Sequence, residues 1–372
     1  MDRAALEGAR PTYPEAMTVM LGLPRPRVAD AARADDRPAV AGLLDRYGRV
    51  ATDLRVSLTD RCNLRCTYCM PAEGIAPGPR DAVLTADEIV RLVRIGVEQL
   101  GITAVRFTGG EPLLRADLAE IIAATAALDP RPDIALTTNA IGLAERADAL
   151  AAAGLDRINI SLDSLDPTVY AAITRRPLLA RALDGIAAAR AAGIGVKINT
   201  VLVPGVNEGE AADLVDWALD LGVELRFIEQ MPLGGDRSWR RDIVVTAAQT
   251  RALLAERMTL RPHPAPRDGA PAERFDVHDA AGARRGTIGI IASVTEPFCG
   301  DCVRTRLTAD GAVRDCLFAH TETPLREVLR GGATDDDLAD RWRRAMWVKR
   351  AGHGIDGPSF AQPERPMSAI GG

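Results

Sequence analysis

Lysine is almost missing from this chain: of its 46 lysine and arginine residues, only Lys197 and Lys349 are lysines. The arginine and alanine excess is a compositional bias rather than chemistry, and it leaves the two lysines informative. A positive surplus is missing too. The formal net charge of −5 gives no electrostatic footprint for nucleic acid, so no nucleic-acid partner is expected. No apolar run approaches membrane-spanning length, and no membrane association is expected. The best early run, Met17 to Leu23, is broken by Thr18 and Gly22 and follows Asp2 and Glu7, which makes it a poor export signal. The six cysteines are not dispersed in the even pattern of a disulfide scaffold, which points to a reducing, cytoplasmic setting. A glycine fingerprint for dinucleotides is also lacking.

What the 372 residues do contain is 47% apolar composition, enough for one large domain or two with a sizeable core. The cysteines fall as two triplets. Cys62, Cys66 and Cys69 follow an apolar, β-branched run (Leu54, Val56, Leu58) that reads as a strand, with Tyr68 before the last cysteine. Three thiolates on one loop are one short of a mononuclear structural zinc site, unless a distant His or Cys completes it. A [4Fe–4S] cube on three cysteines instead leaves one iron open to bind something else. Cys299, Cys302 and Cys316 form the second triplet; with His320 they also fit a zinc knuckle.

From Asp53 to Gln230 one unit repeats. A helical segment ends at a glycine and an apolar strand follows, after Gly101, Gly154, Gly193 and Gly222. With the strand before Cys62 and the run Ile134 to Asn139, this predicts six β–α units around a buried parallel sheet. Polar residues gather at the strand ends: Thr108-Gly109-Gly110-Glu111-Pro112, Thr137-Thr138-Asn139, Asn159 with Ser161 and Asp163, Lys197 with Asn199, and Glu229 with Met231. Beyond Pro232 the rhythm changes toward a smaller α+β region. Residues 1–46 read as an extension, partly disordered, with a short amphipathic helix over Pro38 to Tyr47. The tail from Gly352 is rich in glycine and proline, a composition that usually marks debris.

The first triplet together with Gly109-Gly110-Glu111-Pro112 resembles the radical S-adenosylmethionine (radical SAM) enzymes. Within them, Phe298-Cys-Gly-Asp-Cys-Val-Arg-Thr-Arg-Leu and the closing Gly371-Gly372 resemble the GTP 3′,8-cyclase family of molybdenum cofactor biosynthesis. The resemblance implies an α/β fold, a partial (β/α)6 TIM-like barrel with a C-terminal α+β cap carrying a second iron–sulfur cluster. It implies an extension at 1–46, a barrel at 47–232, an auxiliary-cluster region at 233–351 and a tail at 352–372. The implied cofactors are two [4Fe–4S] clusters and S-adenosylmethionine. The implied cluster ligands are Cys62, Cys66 and Cys69, then Cys299, Cys302 and Cys316. By the same resemblance Tyr68, Gly110, Ser161 and Met231 contact S-adenosylmethionine, and Arg55, Arg106, Thr137, Lys197, Arg304, Thr305 and Arg306 contact GTP. The resemblance also implies that Gly371 and Gly372 assist catalysis.

The implied reaction is abstraction of the GTP 3′ hydrogen by a 5′-deoxyadenosyl radical, giving (8S)-3′,8-cyclo-7,8-dihydroguanosine 5′-triphosphate. An electron donor, a downstream cyclic pyranopterin monophosphate synthase, and a monomeric or homodimeric state are the partner expectations. One departure stands out: Ala140 occupies the place of the family's usual glycine after Thr-Thr-Asn, so a turn requiring positive φ there must move or carry strain. A radical SAM peptide maturase is the rival enzyme, and a two-zinc binding protein the rival outside enzymology.

Overall fold

The computed structural model describes residues 27–28 and 36–371, apart from 77, 235–238 and 359. The chain opens with a two-residue strand, β1 (Arg27–Val28), and a hairpin, β2 (Leu43–Leu44) and β3 (Val50–Ala51). The amphipathic helix expected over Pro38 to Tyr47 is absent. Asp45 takes the backbone N–H groups of Tyr47 and Arg49, and Gly48 turns through φ 80°, so the side-chain-to-backbone bonds win over helical spacing.

The six expected units follow: β4 (Asp53–Ser57), α1 (Ala86–Leu100), β5 (Ala104–Thr108), α2 (Leu118–Ala126), β6 (Asp133–Thr138), α3 (Ala147–Ala152), β7 (Arg157–Ser161), α4 (Pro167–Thr174), α5 (Leu179–Ala191), β8 (Gly195–Val201), α6 (Ala211–Asp220) and β9 (Glu224–Ile228). The best-defined helix, α1, starts in a capping box between Thr85 and Glu88 and stops at Gly101 in the left-handed region at φ 76°. Strands β4 to β9 pair in chain order, all parallel. Their side chains alternate. Leu54, Val56, Phe107, Leu136, Ile158, Ile198 and Leu225 are fully buried under the helices, roughly 1.5–3 kcal/mol for each. Arg55, Arg106, Thr137, Asn159, Ser161, Asn199 and Arg226 occupy the opposite face, in matching register from strand to strand.

The C-terminal region continues through α7 (Ala247–Ala255), β10 (Thr259–Pro262), β11 (Glu273–His278), β12 (Arg284–Ile291), β13 (Arg304–Leu307), β14 (Ala312–Arg314), β15 (Thr321–Pro324), α8 (Arg326–Arg330), α9 (Asp335–Trp347) and α10 (Met367–Ile370). It is built into the sheet rather than set beside it. β12 pairs parallel with β9 at one edge, and β13 pairs parallel with β4 at the other. The α/β sheet is therefore dominated by parallel pairs, and residues 292–303, which carry Cys299 and Cys302, connect its two sides. Among the described residues no helix is long and apolar enough to cross a membrane.

Candidate active site

Two adjoining cavities occupy the polar face of the sheet, each lined by one cysteine triplet. In the first, Cys62, Cys66 and Cys69 lie on the loop after β4. Backbone bonds strap that loop to the end of α4, from Arg65 N–H to Thr174 O (3.0 Å) and Thr67 N–H to Ile173 O (2.9 Å). On the other side Asn139 Nδ2 donates to Asn63 Oδ1 at 2.7 Å. The two glycines before Glu111 work against this loop. A Cβ on Gly110 would stand 2.2 Å from Arg61 O, and one on Gly109, at φ 153°, 2.6 Å from Thr59 O. The approach is fixed by Gly110 N–H to Thr59 O and Glu111 N–H to Arg61 O, both 2.7 Å. What the glycines admit is thus the cysteine loop itself.

Tyr68, Gly110, Ser161 and Met231 line this first cavity, together with the acids Glu111 and Asp163. The Tyr68 hydroxyl donates to Asp163 Oδ2 at 2.7 Å. Burial pushes the Asp163 carboxyl up to about 6 and the Tyr68 phenol well above its ordinary value. Burial likewise raises Cys62 to about 11 and Cys69 to about 12, so these thiols surrender their protons only to a group that binds sulfur strongly.

Glu111 accepts from Thr138 Oγ1 (2.6 Å), Asn139 N–H (2.8 Å) and Leu113 N–H (2.9 Å). Burial nevertheless raises its carboxyl to about 7 from 4.5. A raised acid holds its proton more tightly in the folded state. Its penalty is therefore absent below the unfolded value of 4.5, grows with pH, and is complete above about 7. The difference amounts to roughly 3 kcal/mol. Thermal melts of the cofactor-free protein should lose stability across this window more steeply than those of Glu111→Gln; parallel pH slopes would count against the assignment.

The second cavity is lined by Cys299, Cys302 and Cys316 and by Arg55, Arg106, Arg226, Arg304 and Arg306. Burial brings Arg55 down to about 9, with Arg106 adding to the effect, and Arg106 itself down to about 10. Arg304 stacks 5.0 Å from the Phe298 ring centroid. The buried Nε atoms of Arg55, Arg106 and Arg226 have no hydrogen-bond partner among the described residues. Crowded, desolvated guanidiniums with spare donors fit a polyanion; the carboxylates near them are Asp53, Glu224 beside Arg226, and Asp315 in the lining. Cys302 differs from its neighbours: burial raises it, but Arg304 and Lys349 outweigh that and bring the thiol down to about 6.

Thr137, Asn199, Ile228 and Met231 line both cavities. At this junction the C-terminal tail enters. Met367 and Ser368 line the first cavity, Gly371 is buried at φ 75°, and its carbonyl accepts a hydrogen bond from Arg306. A Cβ on Gly371 would meet Thr108 Cγ2 at 2.6 Å. Gly372 lies outside the described residues.

Two residues with expected GTP contacts are placed elsewhere. Thr305 points from the opposite face of β13, fully buried, its hydroxyl accepting from Trp342 Nε1 at 3.0 Å, because alternation turns it away from the cavity that Arg304 and Arg306 line. Lys197 stays outside the cavity wall, its Nζ paired with both Glu224 oxygens at 3.1 Å. Arg226, unremarked in the sequence, lines the cavity and donates to Asn159 Oδ1. Its signal was there: a single charge in the apolar run Leu225–Ile228, on the face of Asn199.

A three-thiol loop at the C-terminal edge of a parallel α/β sheet defines the chain as a radical SAM protein, and residues 56–218 match the radical SAM superfamily. Residues 223–355 match the family described as Molybdenum Cofactor Synthesis C. GTP 3′,8-cyclase 2 of Mycobacterium tuberculosis (strain ATCC 25618 / H37Rv) is 56% identical over 355 residues, 95% of this chain and 99% of that protein. GTP 3′,8-cyclase of Mycobacterium marinum is 55% identical over 360 residues, covering 96% and 100%. GTP 3′,8-cyclase of Paenarthrobacter nicotinovorans is 55% identical over 351 residues, covering 90% and 99%. The chain belongs to the GTP 3′,8-cyclase family.

Proposed function

We propose that the protein converts GTP to (8S)-3′,8-cyclo-7,8-dihydroguanosine 5′-triphosphate, the first step of molybdenum cofactor biosynthesis, in the cytoplasm. The observation that carries this reading is the junction: a cysteine-lined cavity suited to S-adenosylmethionine opens onto an arginine-lined cavity suited to a nucleoside triphosphate. One cavity bordered by residues of β4, β5, β6, β8, β9, β12 and β13 supports reading the sheet as an incomplete (β/α)6 barrel, with the C-terminal region as its auxiliary-cluster part.

Each triplet fits a [4Fe–4S] cube by its donor set: three free, part-buried thiols around a cavity, leaving one iron open. Among the described residues no three His, Cys, Asp or Glu side chains are gathered for a single metal ion. When bound, the first cluster supplies the electron that splits S-adenosylmethionine to the 5′-deoxyadenosyl radical that takes the 3′ hydrogen of GTP. The protein's own part is orientation. Tyr68, Gly110, Ser161 and Met231 hold S-adenosylmethionine; Arg55, Arg106, Arg304 and Arg306 hold the triphosphate; Thr137 and Met231 stand where the two ligands meet. Asn199 Oδ1, buried with no hydrogen-bond partner among the described residues, belongs to a residue that lines both cavities and can accept a ligand hydroxyl. An electron donor and a synthase that consumes the product complete the scheme.

Anaerobic incubation with GTP, S-adenosylmethionine and dithionite should yield the cyclised triphosphate and 5′-deoxyadenosine, from protein carrying about eight irons per chain after reconstitution. Two zincs and no product would defeat the reading. Arg304→Ala should weaken GTP binding by about 1.5–3 kcal/mol, the range for hydrogen bonds to charged groups, and weaken guanosine binding less. Calorimetry giving equal losses for both ligands would move Arg304 off the triphosphate.

A further inference from the structure

The composition sets two lysines apart; neither lines a cavity, and one of them is buried against a cysteine of the second triplet. Lys349 follows the C-terminal end of α9 and is only 4% exposed. Its Nζ donates to Cys302 Sγ at 3.2 Å and to the Arg304 carbonyl at 2.9 Å. Among the described residues it forms no ion pair with a carboxylate. A buried ammonium costs several kcal/mol unless an anion balances it. The Cys302 sulfur, as a thiolate, is the anion its Nζ touches, with the Asp315 carboxyl acting on it from farther off.

We propose that Lys349 donates a charge-assisted N–H···S hydrogen bond to the Cys302 ligand of the second cluster and raises that cluster's reduction potential. The proposal rests on the reading that Cys299, Cys302 and Cys316 hold a cluster. Reduction adds a negative charge to the cluster and its sulfurs. A donor and a cation fixed against one ligand stabilise that state more than the oxidised one. A chain that otherwise uses arginine uses here the compact ammonium, which reaches sulfur and carbonyl together without the breadth of a guanidinium. Lys349 is thus a positioning residue, acting through the ligand sulfur while Arg304 turns its guanidinium toward the substrate cavity.

The test uses the full chain with Cys62, Cys66 and Cys69 replaced by serine, so that the second cluster is read alone. Reconstitution should give about four irons per chain; if no iron is taken up, the cluster reading itself fails, independently of Lys349. In that background an EPR-monitored redox titration of Lys349→Met should give a midpoint potential below that of the parent, and Lys349→Arg, which keeps the charge, should recover part of the fall. If Lys349→Met takes up no iron, Lys349→Gln, which keeps a neutral donor, should still titrate below the parent. A midpoint unchanged in whichever of these two variants holds the cluster overturns the proposal.

Discussion

Replacing Cys62, Cys66 or Cys69 by serine should abolish reductive cleavage of S-adenosylmethionine, a loss limited only by the detection of 5′-deoxyadenosine. Serine keeps the shape of the loop and its backbone straps to α4, so the cofactor-free fold should persist. What it removes is the soft sulfur donor on which a cluster depends. The second triplet should behave differently. Serine at Cys299, Cys302 or Cys316 should spare part of the cleavage, since the first cavity is untouched, and abolish cyclisation of GTP. The measurement is paired: 5′-deoxyadenosine and cyclised nucleotide from the same anaerobic reaction. Near-normal cyclisation by a Cys316→Ser enzyme would separate the second triplet from the substrate.

Removing Gly371 and Gly372 should lower cyclisation about a hundredfold or more, while cluster content changes little and GTP affinity falls far less than cyclisation. The magnitude is that of a misplacement of about 1 Å in a reacting pair. Gly371 packs against Thr108 and Ser57 and accepts from Arg306, so the tail end fixes one wall of the junction and the aim of one guanidinium. Ser368, Ala369 and Ile370 remain buried in the truncated chain and anchor α10. Gly371→Ala should approach the same loss, because a Cβ there meets Thr108 within 2.6 Å and the residue sits at φ 75°. A peptide of the last residues should restore part of the truncated enzyme's activity. Normal turnover after truncation would show that the tail is only packing.

The six strand–helix units were legible because each carries its own punctuation, such as Thr85 with Glu88 at the start of α1 and Gly101 after it. The cysteine triplets were legible because Cys62, Cys66 and Cys69, and then Cys299 and Cys302, recur at short spacing. Arg226 escaped notice since one charge on a strand gains meaning only from register: it stands beside Asn199 and Gly289 on neighbouring strands that lie far away in the chain. Register also turned Thr305 from its two arginine neighbours, a consequence of the two-residue period that spacing alone could have supplied. Lys349 was conspicuous in composition, yet its partner Cys302 lies 47 residues away and no local pattern links them. Ala140 is instructive in the other direction. It keeps the left-handed turn at φ 63° that a glycine would adopt freely, fully buried, with its N–H donated to Thr138 Oγ1 at 3.0 Å. The turn did not move; the alanine bears the strain, and Gly185 makes room by lacking a Cβ that would stand 2.4 Å from Ala140 O.

Both edges of the six-stranded run are completed by one late stretch, β12 on β9 and β13 on β4. A chain that ends before residue 284 therefore leaves both parallel edges of this run unpaired. No nascent chain short of β13 has a substrate cavity, however well its helices have formed. Chaperone dependence, sensitivity to premature termination, and the timing of metal delivery should all centre on the emergence of residues 284–316, which close both edges and bring the last cysteine of the second triplet.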